Sequence, residues 1–205
     1  LFVTTSQDIH LPNGDIYIKK HMDGVIFAGE VDIRVIEEFR KQSIPVVLVN
    51  NYLDMDGLVC ISADHYGGAV QATEYLCRLG HCKIGLLSGR FSPQVSEARI
   101  EEIMTRMLRE VDRPTAFFCT NDTIAAGAMK AVTRAGLRVP EDIAIIGFDD
   151  SYISRVVEPE LTTVRIDAAK MGCLAMQTLF DLIAGMPVEK AHIQIPTELI
   201  VRGTA

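Results

Sequence analysis

Short apolar runs rich in Val and Ile alternate with amphipathic stretches of helical period along most of the chain. That alternation constrains the fold more than any other feature, because strand–helix–strand units give mostly parallel sheets. Strands are predicted over 1–5, 24–28, 46–49, 58–62, 83–87, 115–119 and 143–148, with two more over 193–195 and 199–201. Helices are predicted over 33–42, 66–79, 94–110, 122–135 and 168–184. In the first of these, Ile33, Ile36 and Phe39 fall on one face. Gly80 and Gly136 stand where helices stop, and Asn121 or Asp122 stands where one starts. The run Ile143 to Phe148 is so apolar that it belongs in the middle of a sheet covered on both faces. Periodicity alone fits one large sheet or two smaller doubly wound lobes equally well.

Charge and composition narrow the function. The 205 residues carry a formal net charge of −7, with 20 basic side chains scattered along the chain rather than gathered on one stripe. Nucleic-acid affinity comes largely from neutralised phosphates, so this chain by itself is not expected to hold DNA well. There is no Trp and no stacking platform for bases. No apolar run approaches the roughly 20 residues needed to span a bilayer, and Leu1 opens without a basic leader, so no membrane partner is expected. Five dispersed cysteines without CxxC spacing read as reduced thiols in a cytoplasmic protein, and neither a metal site nor a cofactor is expected.

In open parallel sheets, ligands bind beyond the carboxyl ends of the strands. Three strands here run into polar residues at that end. Val49 is followed by Asn50-Asn51, Cys119 by Thr120-Asn121-Asp122, and Phe148 by Asp149-Asp150. Amide donors and acceptors beside fixed carboxylates suit a polyhydroxylated or otherwise neutral polar ligand. Each of these residues also has a plainer reading, as a helix cap or a turn. Enzyme readings find no support. Asp149 and Asp150 are adjacent rather than set across a substrate, there is no GxSxG elbow or Walker A loop, and His65 reads as a solvated loop histidine. No catalytic residue is assigned.

An ordered set of short motifs carries a family resemblance. Asp23-Gly24-Val25-Ile26-Phe27, Ile44-Pro45-Val46-Val47 and Gly80-His81-Cys82-Lys83-Ile84-Gly85 with Ser88-Gly89 are followed by Arg113-Pro114-Thr115-Ala116-Phe117-Phe118-Cys119-Thr120-Asn121-Asp122. Gly136-Leu137-Arg138-Val139-Pro140-Glu141-Asp142-Ile143, Gly147-Phe148-Asp149-Asp150 and Leu161-Thr162-Thr163-Val164-Arg165 complete it. From Asp23 onward the chain resembles the LacI/GalR transcription regulators. The resemblance implies two doubly wound α/β lobes of periplasmic-binding-protein type, joined by three crossovers, with an effector cleft between them. It divides the chain into an N-terminal lobe of 1–62 plus part of 166–205 and a C-terminal lobe of 63–165 plus the C-terminal return. It further implies a homodimer, with the helix near Thr123 contributing, and operator DNA held through a headpiece that this chain does not contain. Matched position by position, Asn121, Asp149 and Asn50 fall on effector-facing polar positions, and Phe118 falls on an apolar wall or in plain core. The effector that the resemblance implies is a small polar metabolite, a sugar or a nucleobase-like compound.

The departures from the family pattern carry expectations too. The family's first strand and helix are expected before Leu1, residues 7–20 lack a usual helix, and the stretch between Gly89 and Arg113 has room for one helix instead of helix, strand and helix. In one register Arg99 is the arginine that clamps the effector. In the other, which Glu102-Ile103 favour, that arginine is missing and Arg99 is a solvated helix charge. Such shortages near 90–104 would bare sheet edges and apolar surface. A break in the polypeptide between Gly89 and Ser92, with residues omitted there, is therefore expected. The rival readings are a solute-binding protein of a sugar transport system, which shares the architecture, and an enzyme on a doubly wound fold.

Overall fold

The computed structural model describes residues 22–51, 53, 55–89, 96–188 and 191–205. The strand expected over 1–5 and the junction between Gly89 and Ser92 lie outside the described residues. Fifteen elements follow one another: β1 (Val25–Ala28), α1 (Ile33–Lys41), β2 (Val46–Val49), β3 (Val59–Ala63), α2 (His65–Arg78), β4 (Ile84–Leu87), α3 (Ser96–Leu108), β5 (Ala116–Cys119), α4 (Asp122–Arg134), β6 (Ala144–Asp149), α5 (Ile153–Val156), β7 (Thr162–Arg165), α6 (Ala168–Ile183), β8 (His192–Ile195) and β9 (Glu198–Ile200).

The chain divides into two compact units, 1–63 with 167–195 and 64–166 with 196–205, so it passes from one to the other three times. In the first unit the sheet order is β1-β2-β3-β8, all parallel, with Val25 opposite Val46, Val47 opposite Val59 and Cys60 opposite His192. In the second it is β4-β5-β6-β7-β9. The first four of these are parallel, and β9 closes the sheet antiparallel to β7 with Thr163 opposite Ile200.

Local chemistry sets the helix ends. Asp32, Asp64, Asn121 and Asp167 each accept a backbone N–H from the first turn of α1, α2, α4 and α6, at 2.9, 2.8, 2.8 and 2.8 Å. These bonds satisfy donors that a helix start otherwise leaves open. At the other end, Gly80 and Gly136 take φ of +92° and +75° just beyond α2 and α4, a conformation that a side chain resists.

Strand alternation sorts the cores. In the second unit Phe117, Cys119, Ile143 and Ile145 face α3 and α4, where they meet Met104, Ile124 and Val132. Their neighbours Ala116, Phe118, Ala144, Ile146 and Phe148 point the other way, to Leu76 and Val164. The strand β6 is thus central and covered on both faces, as its unbroken apolarity predicts. In the first unit α1 buries Val35, Ile36 and Phe39 against Phe27, Leu48 and Cys60. Ile33, expected on that face, is instead 42% exposed, because Asp32 is the cap and the first turn has not yet rotated onto the sheet. Each fully buried large side chain contributes about 1.5–3 kcal/mol. Leu86 on β4, which ends its sheet among the described residues, is 63% exposed, and Phe180 on α6 is 58% exposed.

Candidate functional site

The polar residues of the second unit collect where β5 and β6 end side by side. Asn121 caps α4 through its side-chain oxygen, which accepts the Ile124 N–H. The next residue, Asp122, is 1% exposed and occupies the first turn, where the helix dipole favours a negative charge. Its carboxylate accepts the Thr163 hydroxyl at 2.5 Å and the Ser151 N–H at 2.6 Å. Burial pushes this carboxyl up, and the Thr163 and Ser151 hydrogen bonds pull back against it. The approach needs Gly147, since a Cβ there would lie 2.4 Å from Asp122 Oδ1 and 2.8 Å from Leu161 Cδ2. Glycine in Gly147-Phe148-Asp149-Asp150 is therefore the residue that lets α4 settle on β6.

Beyond Phe148 the backbone enters the left-handed region twice in succession, with φ of +103° at Asp149 and +51° at Asp150. Non-glycine residues resist this conformation, so neighbouring bonds must hold it. The Asp150 carboxylate supplies them. It accepts from Arg202 at 2.5 Å, Arg165 at 2.8 Å, Ser154 at 3.0 Å and Arg155 at 3.4 Å, and its side chain is 2% exposed. The covering layer is chiefly these arginines rather than deep core. Burial alone would raise this carboxyl, but the hydrogen bonds from Arg202, Arg165 and Ser154 outweigh it and hold it at about 2. Among the described residues Asp149 has no such cation. It keeps contact with solvent, yet the protein crowding around it, and next the charge of Asp122, lift its carboxyl to about 6. Two adjacent carboxyls thus stand about four pH units apart, one fixed as an anion and one poised to exchange a proton.

An aromatic group lies on the α2 side of β6. Phe118, 8% exposed, packs in that core and meets Phe148 with ring centroids 6.2 Å apart. His65 stacks on Phe148 at 5.4 Å with ring planes 16° apart. The sequence reading of His65 as a solvated loop histidine is corrected here: it is the first residue of α2 and half-buried, and burial lowers its pKa despite the nearby Asp64. Gly68 permits this packing, because a Cβ there would meet Val164 Cγ1 at 2.8 Å and Thr197 Oγ1 at 2.9 Å.

The other candidates sit elsewhere. Asn50 belongs to the first unit, exposed at the end of β2 with φ of +51°. Its N–H donates to the Ile61 carbonyl at 2.9 Å, and its Oδ1 accepts the Ala63 N–H at 3.4 Å. Asn51 is buried and structural, donating to the Gly29 carbonyl and accepting from the Leu53 N–H. Arg99 is exposed on α3, a helix whose buried residues are Ile100, Met104 and Leu108. Sequence reasoning missed Ser154, Arg165 and Arg202. Their partner is 4, 15 and 52 residues away, and no local pattern announces such a pairing.

The architecture is shared with known proteins. Residues 90–205 match the periplasmic binding protein-like domain, and residues 3–102 match the periplasmic binding proteins and sugar binding domain of the LacI family. The chain is 31% identical to the probable HTH-type transcriptional repressor ExuR of Bacillus subtilis, covering 94% of this chain and 67% of that protein. It is 30% identical to the HTH-type transcriptional repressor PurR of Pasteurella multocida, covering 92% of this chain and 66% of the relative. It therefore spans about two thirds of the length of these relatives. A LacI-family regulatory protein from Chloroflexus aggregans superposes with a TM-score of 0.80 at 26% identity, over 89% of this chain and 76% of that one. The two parallel-sheet units, the polar sheet end at Asn121 and Asp149, and these matches together place the chain in the LacI family, as one of its periplasmic-binding-protein-like domains.

Proposed function

We propose that this chain is the effector-binding and dimerisation core of a DNA-binding transcriptional repressor, and that a small polar metabolite, a sugar in the first instance, controls its grip on an operator. The observation that carries the reading is Asp149, held in a left-handed conformation at the end of the central strand beside the capped start of α4. A carboxylate fixed in direction and still in contact with solvent suits a ligand hydroxyl or ring N–H. The family's sugar-binding domain and the repressor relatives support the same role. Asn121 and Asn50 are proposed as further hydrogen-bonding residues and Phe118 as apolar lining. Arg99 is proposed as a solvated helix charge, in keeping with its exposure.

Control of DNA requires two sites coupled through a conformational equilibrium. The DNA site is proposed to lie in a headpiece attached to this core, and the dimer to use the outward face of α4, where Thr123 and Lys130 are exposed. Compartment and oligomer follow from the same role: a cytoplasmic homodimer. The test is a thermal-shift screen of the full-length protein against sugars, sugar phosphates and purines. A ligand at 100 times its Kd should add roughly 2.7 kcal/mol of stability. A hit that Asp149→Ala weakens supports the reading, and a hit indifferent to that change removes Asp149 from the site.

A further inference from the structure

The segment after β9 reaches the same turn that presents Asp149. After β9 the chain bends so that the Arg202 guanidinium, 11% exposed, donates to the Leu161 carbonyl at 2.7 Å and to Asp150 Oδ1 at 2.5 Å. Its backbone N–H donates to Thr162 Oγ1 at 2.9 Å. Thr204, fully buried, then bridges β6 and β7: its hydroxyl donates to the Ile145 carbonyl at 2.6 Å and accepts the Thr162 N–H at 2.9 Å. The tail is thereby stitched to both strands, which fixes where Arg202 can reach.

Among the described residues Asp149 itself receives no comparable support from a cation, although its backbone and that of Asp150 both occupy the left-handed region. The turn is held instead on either side. Asp122 takes the Ser151 N–H, and Asp150 takes the arginines and Ser154. Releasing Asp150 would free the turn to relax toward ordinary backbone angles and swing the Asp149 carboxyl outward, away from Asp122.

We infer that Arg202, acting through Asp150, is a positioning residue for the effector-facing carboxylate of Asp149, so that the C-terminal tail sets the geometry of the ligand site. Arg165 on β7 is the second member of the device, and Ser154 on α5 is the third. The tail thus acts on the site through an ion cluster centred on the covered Asp150 carboxylate, without touching a ligand. The inference rests on the proposed role of Asp149 in binding.

The deciding experiment is a 13C NMR titration of aspartate-labelled full-length protein, with the Asp149 signal assigned by its loss in Asp149→Asn. In the unaltered protein the carboxyl titrates at about 6. In Arg202→Gln, the positioning account predicts a midpoint lower by about one pH unit, because the carboxyl moves into water and away from Asp122. Simple loss of a nearby positive charge moves the midpoint upward, and a tail that merely anchors the fold lowers thermal stability without moving it. Either of those two results overturns the inference. Arg202→Lys keeps the charge and should return the midpoint most of the way to about 6. Arg165→Gln, further from the tail anchor, gives the same direction with smaller amplitude and serves if Arg202→Gln does not fold. Cellobiose, ribose and guanine are the binding probes. If none binds the unaltered protein while Arg202→Gln still shifts Asp149, the effector reading fails and the positioning relationship stands.

Discussion

Arg202 and Asp150 stand 2.5 Å apart across 52 residues of sequence, their side chains 11% and 2% exposed. The pair joins the last turn of the chain to the end of the central strand. Removing one partner of a covered ion pair leaves the other charge without compensation, which commonly costs more than the pair itself contributes. Two further arginines remain to share the load on Asp150. Arg202→Ala should therefore destabilise the fold by about 1–3 kcal/mol, read by urea denaturation. A cost below roughly 0.5 kcal/mol, the range of ordinary surface substitutions, would show that the pair holds nothing.

Thr204 gives a sharper test of the tail. Its hydroxyl serves both the Ile145 carbonyl and the Thr162 N–H inside the protein. Thr204→Val keeps the shape and strands both groups, for an expected loss of about 2–4 kcal/mol by chemical denaturation. Thr204→Ser should restore most of it. Unchanged stability in Thr204→Val would show that the hydroxyl holds neither strand.

Gly147 is required by distance rather than by backbone angle. A Cβ 2.4 Å from Asp122 Oδ1 forces the carboxylate off the Ser151 N–H and the Thr163 hydroxyl. Gly147→Ala should cost about 1–3 kcal/mol, and pairing it with Asp122→Ala should cost less than the sum of the two. Additive losses would mean that the methyl group meets something other than Asp122.

The pH dependence of stability divides by residue. Asp150 has a folded pKa of about 2, below its ordinary value, so its contribution is complete above about pH 4 and is lost as pH falls toward 2. Asp149 has a folded pKa of about 6, above its ordinary value, so the folded state binds its proton more tightly. Its ionisation then costs stability as pH rises from about 4 through 6. His65, lowered by burial, works in the opposite sense and costs stability as pH falls through its ordinary range. Asp149→Asn should remove the Asp149 component alone. Denaturation curves of the two proteins between pH 4 and 7 should diverge, and parallel curves would contradict the assignment.

The internal shortness of the chain is open to direct measurement. ExuR matches it over 223 positions, more than the 205 residues present, so that relative carries segments with no counterpart here. The exposed Leu86 and Phe180 are the kind of surface that such segments cover. We propose that residues are omitted between Gly89 and Ser92. Mass spectrometry of a Glu-specific digest should lack a continuous peptide from Tyr75 to Glu97, and finding that peptide would end the proposal.

How much of this was readable in advance depends on the range of each interaction. The strand β6 was legible because a run such as Ile143 to Ile146 admits only a covered central position. The caps at Asn121 and the stops at Gly80 and Gly136 were legible because their chemistry is local. The phase of α1 was misjudged at Ile33, since one residue at a helix start lies before the rotation that periodicity assumes. The short helix α5 holds four residues, too few to show a period, and β7 was marked only as a motif. The candidate site was half legible. Asp149 and Asn121 announce themselves after apolar strands, whereas the arginines that fix the turn come from α5, β7 and the tail, and only folding brings them together.

The central claim is that Asp149 faces a small polar effector. Its most direct test is isothermal titration of the first compound to emerge from the sugar and purine screen, against the unaltered protein and Asp149→Ala. The account predicts that the substitution weakens binding by about 1–3 kcal/mol, as loss of a buried ligand hydrogen bond does, and that affinity in the unaltered protein falls as pH drops through about 6. Equal affinity in the two proteins, at every pH from 5 to 8, would contradict it.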